Sequence, residues 1–214
     1  MIVVFTFDDG WEEDIAFTYP LFKKYGFRAT SYLCLENTLK TKGKMSWNDI
    51  RLLAKDNWDF QCHGYSHVNF TKLSENNIYS QMERVNSIFT KEGLCLPKHH
   101  CYPYGSTDNK VVQAISKYRI TGRQTKNGTP IKSSLFDDFY RIKGIKIKKL
   151  STVKKSLSEN FISVFYTHKV TPTPNAYSIH VREMEKILRY VKEIEARVLT
   201  MREMYEEFFS ADSA

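Results

Sequence analysis

Ile2-Val3-Val4-Phe5-Thr6-Phe7-Asp8-Asp9-Gly10 is the stretch on which the reading of this chain turns. Residues 2–7 form a short apolar and β-branched run, which reads as a strand buried on both faces. The run ends in two carboxylates and a glycine, so the acids sit at the strand's carboxyl end. Adjacent carboxylates in that position repel each other unless a cation, hydrogen bonds or a raised pKa relieves them. Neighbouring strand residues point to opposite sides, so one acid can ligate a metal while the other stays free as a base. Taken alone, Asp-Asp-Gly is a turn or helix-cap signal.

Outward from this stretch, helix and strand signals alternate. Residues 11–25 place Ile15, Phe17, Leu21 and Phe22 on a helical face interrupted by Pro20, and Gly26 closes it. A second strand is expected over 29–35, then a Lys-rich loop over 37–44. Ser46, with Asp49 three positions on, caps a helix bearing Trp47, Ile50, Leu53 and Ala54. A third strand, 58–62, runs directly into His63. Ser74 opens a helix whose Ile78, Met82, Val85, Ile88 and Phe89 keep helical spacing up to Gly93. Beyond it come a strand over 100–102, a helix capped by Asp108 or Thr107, and a strand ending near Arg123. An Asn127-Gly128 turn and an alternating strand over 141–147 follow. Ser151 is expected to cap a short helix. A strand over 161–166 ends at Thr167-His168, and Ser178 starts a long amphipathic helix to about Ala196. A last strand and helix close residues 198–209.

Such alternation implies an α/β fold with a mostly parallel sheet, either a barrel or a doubly wound layer, in one domain over 1–214. The polar candidates follow several different strands, whose ends share one rim in a parallel barrel. Hydrophobic residues at 42% and charged ones at 26% are ordinary for a packed globular domain, which argues against extensive disorder. The net charge of +8 draws much of its excess from Lys143, Lys146, Lys148, Lys149, Lys154 and Lys155, read as a solvated flank, and no nucleic-acid partner is expected. No apolar run approaches a membrane span, and residues 1–5 are too short for a signal peptide's apolar region, so a cytoplasmic location is expected. Cys34, Cys62, Cys95 and Cys101 lack Cys-x-x-Cys spacing and read as reduced thiols.

In His63-Gly64-Tyr65-Ser66-His67 a separation of four residues lets two imidazoles face one point across a helical turn. Alone, the pair is as readily surface or core histidine. Joined to a carboxylate, two His and one Asp leave positions open for water and substrate, as a catalytic metal site requires. Zinc leads, with Co2+ or another divalent transition metal as the alternative.

Thr6-Phe7-Asp8-Asp9-Gly10, His63-x-x-x-His67 and Tyr102-Pro103-Tyr104-Gly105, in that order, resemble the polysaccharide deacetylase family, carbohydrate esterase family 4 with its NodB homology domain. The resemblance extends to Tyr166-Thr167-His168 and Leu199-Thr200-Met201-Arg202-Glu203. It implies a distorted (β/α)7-type barrel that hydrolyses N-acetyl groups from an N-acetylated amino sugar or glycan. Carried over by position, it implies Asp8 as base, Asp9, His63 and His67 as ligands of one divalent metal, and His168 as acid. Tyr104, after Pro103, would line the groove and offer its N–H to the oxyanion. In the implied reaction a water acidified by the cation gives its proton to Asp8 and attacks the acetamide carbonyl, and His168 protonates the leaving amine.

The chain departs from the family pattern at three points. Gly64 stands where Ser or Thr usually steadies the ligand loop, so the loop must be braced otherwise. Cys101 stands where an Arg usually orients the base, and Arg123 is the candidate substitute. No Trp follows in the fourth motif's place, since Trp11, Trp47 and Trp58 all come too early. A glycan-binding pseudo-enzyme of the same fold is therefore the non-catalytic alternative. A two-His-one-carboxylate iron oxygenase shares the ligand set but favours a mostly β scaffold. A structural zinc on Cys95, His99, His100 and Cys101 is disfavoured, because strand neighbours point apart. The particular sugar and the oligomeric state are not legible.

Overall fold

The computed structural model describes residues 1–125 and 138–209; the expected Asn127-Gly128 turn lies outside them. Seven parallel strands form the centre: β1 (Ile2–Asp8), β2 (Thr30–Leu33), β3 (Asp59–Cys62), β4 (His99–Cys101), β5 (Thr121–Gln124), β6 (Ile142–Lys146) and β7 (Ile162–Thr167). Each pairs with the next, and β7 returns to pair with β1 from Ile2↔Ile162 to Phe7↔Thr167, closing a barrel. The order follows from the sequence, because each strand is joined to its parallel neighbour through a crossover. A short parallel pair, β8 (Lys169–Thr171) and β9 (Ser178–His180), stands beside the barrel's mouth. β10 (Arg197–Leu199) adds to the first half of β1, Ile2 to Val4, whereas β2 takes its second half, Thr6 to Asp8.

Helices α1 (Tyr19–Lys24), α2 (Leu35–Lys40), α3 (Trp47–Lys55), α4 (Glu75–Lys91), α5 (Asn109–Ser116), α6 (Leu150–Glu159), α7 (Val181–Glu193) and α8 (Met201–Phe209) surround the strands. Alternate residues of each strand divide between two cores. Phe5, Phe7, Leu33, Phe60 and Cys62 pack outward against Phe22, Ile50, Met82, Val85 and Phe89 of the helices. Ile2, Val4, Tyr32, Cys101, Ile142, Ile162 and Val164 fill the barrel, and Met201 and Met204 of α8 join this inner core. That alternation decides the site: the inward residues at the strands' carboxyl ends, Asp8, Cys101, Lys146 and Tyr166, share the mouth, and Arg123 lies buried beneath them.

Several local expectations need correction. Residues 35–40 are helical where the end of a strand at 35 and a loop from 37 were expected. Lys149, not Ser151, precedes α6 as its cap residue. Ser178 lies in β9, and His180 caps α7 by accepting from the Arg182 N–H at 3.0 Å. One turn of π-helix, Asp14–Thr18, precedes α1 and turns Phe17 outward, while Asp14 and Thr18 are buried. The wider turn shifts the angular position of each side chain, which a 3.6-residue period cannot anticipate.

Candidate active site

At the carboxyl ends of β1, β3, β4 and β7 the barrel opens into a cleft of about 530 Å³. Asp9 leaves β1 with φ 78°, a conformation that costs a non-glycine residue energy. It thereby turns away from Asp8. Gly10 follows at φ 68°, where a Cβ would come 2.7 Å from Leu33 Cδ2, so only glycine fits this turn. The Asp9 Oδ1 lies 3.5 Å from both His63 Nε2 and His67 Nε2. Asp9 Oδ2 accepts from the Trp11 indole at 3.3 Å, but Oδ1 is buried without a hydrogen-bond partner among the described residues. An orphaned buried carboxylate oxygen facing two imidazole nitrogens is the arrangement a divalent cation completes.

His63 is oriented for that role. Its Nδ1 lies 2.7 Å from the Cys101 carbonyl oxygen, a contact only an N–H can satisfy, so Nε2 is the free acceptor. Burial lowers its pKa, against the opposing pull of Asp8 and Asp9, which favours the neutral, ligating form. Asp8, His63 and Cys101 also come close together. That trio is the poorer metal site, because burial raises the Cys101 thiol well above its ordinary pKa and Asp8 Oδ1 already accepts from Arg123.

The ligand loop is braced from α4. Gln81 Oε1 accepts from the Tyr65 and Ser66 N–H groups at 2.9 Å each, and Gln81 Nε2 donates to Ser66 Oγ at 2.7 Å. Gly64 sits at φ 82°, with Phe70 3.2 Å from where a Cβ would stand. The loop is thus held by a side-chain amide rather than by a hydroxyl at position 64. Sequence reasoning missed Gln81, since it lies on a helix with no motif of its own.

Beneath the cleft, Arg123 is fully buried and donates from Nη2 to Asp8 Oδ1 at 2.5 Å. Its guanidinium carbon is 4.8 Å from the Tyr166 ring centroid and 5.3 Å from that of Tyr32. β6 yields to it, because a Cβ on Gly144 would come 2.8 Å from Arg123 Nη1. Burial works to raise the Asp8 pKa, yet Arg123, aided by His63 and His168, more than offsets it and holds the carboxyl below its usual range.

Tyr104 follows buried Pro103 at φ 61° and ψ 5°. Its ring packs on His67, 4.6 Å between centroids, and its hydroxyl donates to the His67 carbonyl at 3.2 Å. His168 joins the mouth after β7, with Nδ1 buried and unpartnered among the described residues and its ring 5.5 Å from that of Tyr177. Trp11 also lines the cleft, between Lys44 and Lys169, whose Nζ atoms are 3.2 and 4.2 Å from its ring centroid. Its early chain position does not keep it from the groove, because β1 pairs with β7 and their ends adjoin.

The proposed metal, base, acid and groove residues therefore all lie at one mouth. The disfavoured cysteine–histidine set does not converge: His99 contacts Thr121 Oγ1 at 2.9 Å and meets the Tyr205 ring edge-on, whereas His100 packs on Phe70. At the strands' other ends, a cavity of about 280 Å³ holds Arg28 and Arg202. Both are already paired, to Glu203 at 2.6 Å and to Asp59 at 3.3 Å. No helix among the described residues is long and apolar enough to cross a membrane.

Comparison with known proteins agrees with this architecture. YxkH of Bacillus subtilis (strain 168), named for the polysaccharide deacetylases, is 24% identical over 115 residues, 54% of this chain and 41% of its own length. The chain thus spans less than half of that relative. Among solved structures, the Xyl-CE4 domain of a multidomain xylanase from the hindgut metagenome of Trinervitermes trinervoides is similar at TM-score 0.68 and 19% identity, covering 96% of this chain and 89% of that one. A family 4 acetyl xylan esterase from Clostridium thermocellum, in complex with a cobalt ion, gives TM-score 0.68 at 16% identity, over 96% and 91% of the two chains. A family profile described as polysaccharide deacetylase matches residues 1–122, more than half of the 214, and the chain belongs to that family.

Proposed function

We propose that this chain is a metal-dependent hydrolase that removes N-acetyl groups from an N-acetylated amino sugar or glycan. The observation that carries the reading is the convergence of Asp9, His63 and His67 on one point beside an Arg123-held Asp8. Asp9, His63 and His67 would hold a divalent ion, with zinc or cobalt the best match to two imidazoles and one carboxylate. Once bound, such an ion polarises a carbonyl and acidifies water.

The remaining chemistry falls to the chain's own groups. Asp8, kept ionised by Arg123, takes the proton of the attacking water. The Tyr104 N–H is the proposed donor to the oxyanion that develops on the acetyl oxygen as water adds to its carbon. His168, across the mouth, gives a proton to the departing sugar nitrogen so that the C–N bond can break. Trp11 and Tyr177 offer aromatic faces to the sugar.

The Arg123–Asp8 contact supports this reading over a purely glycan-binding one, because a binding groove has no need of a buried cation holding a carboxylate ionised. The test is acetate release from N-acetylglucosamine oligomers, peptidoglycan fragments and amino-sugar conjugates with added zinc or cobalt, and with chelator. Release that chelator abolishes supports the proposal, and absence of release from every substrate would leave glycan binding as the function.

A further inference from the structure

Resting on the deacetylase reading, we infer that the acetylated sugar, or the residue linked next to it, carries a negatively charged group that Lys146 binds. Lys146 is the last residue of β6 and follows Gly144 and Ile142 on the inward face, so its side chain stands in the mouth rather than on the helix-facing side. Around the ring of seven strands, β6 is three strands from β3 by one path and four by the other. Lys146 therefore faces the His63 loop from the opposite wall.

Its surroundings leave the charge unanswered. Among the described residues no carboxylate lies within ion-pair distance of Lys146 Nζ. The other lysine at the mouth, Lys169, is paired to Glu13 at 2.9 Å and lies against Trp11. The two cleft acids are also committed, Asp8 to Arg123 and Asp9 to the proposed ligand set. Burial lowers the Lys146 pKa, with Lys148 adding to the effect, so its ammonium is partly stripped of water with only the Tyr177 ring beside it in return. A half-buried cation with an aromatic face beside it but no counter-charge gains most from an anionic ligand group.

Position says where on the ligand that group lies. Lys146 Nζ is 5.2 Å from the Tyr177 ring centroid, and the His168 ring is 5.5 Å from the same ring. One aromatic ring thus separates Lys146 from the group proposed to protonate the leaving nitrogen. The sugar bearing that nitrogen lies on this side of the mouth, within reach of the ammonium. A carboxylate or a phosphate monoester satisfies the chemistry equally, since Lys acts as a point charge.

The experiment compares three matched N-acetylglucosamine tetramers: neutral, bearing a 3-O-lactyl carboxylate, and bearing a 6-phosphate. kcat/KM is measured for the metal-loaded wild type, Lys146→Gln, Lys146→Arg and, as an exposed control, Lys148→Gln. We expect the wild type to favour one anionic tetramer over the neutral one by roughly tenfold, the worth of one charge-assisted contact. That ratio should fall to within about twofold in Lys146→Gln and persist in Lys146→Arg and Lys148→Gln. Which tetramer is preferred tells carboxylate from phosphate. A wild type indifferent to charge, or a ratio unchanged in Lys146→Gln, overturns the inference. If no tetramer is deacetylated, the deacetylase reading fails by itself. Calorimetric titration with the same tetramers then decides this one: an anionic preference lost only in Lys146→Gln sustains it, and equal or absent binding overturns it.

Discussion

Arg123 Nη2 and Asp8 Oδ1 meet at 2.5 Å inside the barrel, from strands whose residues are 115 positions apart in sequence. Removing the guanidinium would leave a carboxylate buried without its counter-charge. Arg123→Gln should therefore destabilise the fold by about 3–5 kcal/mol, read as a fall in thermal midpoint. Acetate release should fall with it, because Asp8 would no longer be held ionised. Adding Cys101→Arg to that variant returns a cation beside Asp8 and should recover part of both losses. A double variant no better than Arg123→Gln would show that position 101 cannot substitute for position 123.

Base and ligand are separable although they are neighbours in the chain. Asp8→Asn should lower acetate release by roughly 10²–10⁴-fold, the usual contribution of a positioned general base, while one metal ion per chain is retained. Asp9→Ala and His63→Ala should instead lose the ion, as measured by elemental analysis after dialysis. Metal loss in Asp8→Asn with retention in Asp9→Ala would reverse the two assignments.

Gln81 reaches the ligand loop only through its side-chain amide. Gln81→Leu keeps the bulk and removes three hydrogen bonds to residues 65 and 66. Metal affinity should weaken by about 10–100-fold, the usual scale for supports behind a ligand, while the variant remains folded by circular dichroism. Competition with a chromogenic chelator gives the affinity, and an unchanged value would show that the loop holds itself.

Asp14 is buried beside Ser31, whose hydroxyl donates to Oδ2 at 3.0 Å, and Asp14 Oδ1 has no hydrogen-bond partner among the described residues. Burial pushes its pKa up to about 8; the Ser31 hydrogen bond pulls the other way and Glu13 adds to the rise. In the unfolded chain the group titrates near ~4. Between these values the folded protein holds a proton that the unfolded chain releases, so stability should decline from pH ~4 to about 8 and then level off. Asp14→Asn stays neutral throughout. It should raise the thermal midpoint at pH 8, by an effect on the order of a few kcal/mol, and leave it nearly unchanged at pH 4. A gap of equal size at both pH values would contradict this account.

What could be read from the sequence follows from how local each signal is. The apolar run ending at Asp8 marks β1 without help from elsewhere, and the Ser46 and Ser74 caps fix the starts of α3 and α4. The His63–His67 spacing and the carboxylate pair are also local, and the described structure brings them together. β8 and β9 escape such reading because they flank Thr171-Pro172-Thr173-Pro174-Asn175, whose turn signals read as loop. The π-helical turn defeats a periodicity argument outright. Gln81, Trp11 and Lys146 carry no motif: Gln81 reaches the ligand loop from α4, Trp11 bonds to Asp9 two residues before it, and Lys146 enters the mouth only through the closure of the barrel. Arg123 stands between these cases. The absence of an arginine at position 101 says that a substitute is needed, and only the inward alternation of β5 brings Arg123 beneath Asp8.

β1 is hydrogen-bonded to β2 and β10 along one edge and to β7 along the other, and it also carries Asp8 and Asp9. During synthesis this strand emerges about 160 residues ahead of its companion at residues 162–167. The pairing cannot form co-translationally until that companion emerges, so a long-range contact of the kind that slows folding stands between the nascent chain and a competent site. Truncated translation products ending before β7 would therefore carry the acids, both imidazoles and the guanidinium, and still lack the enclosure that sets them to work.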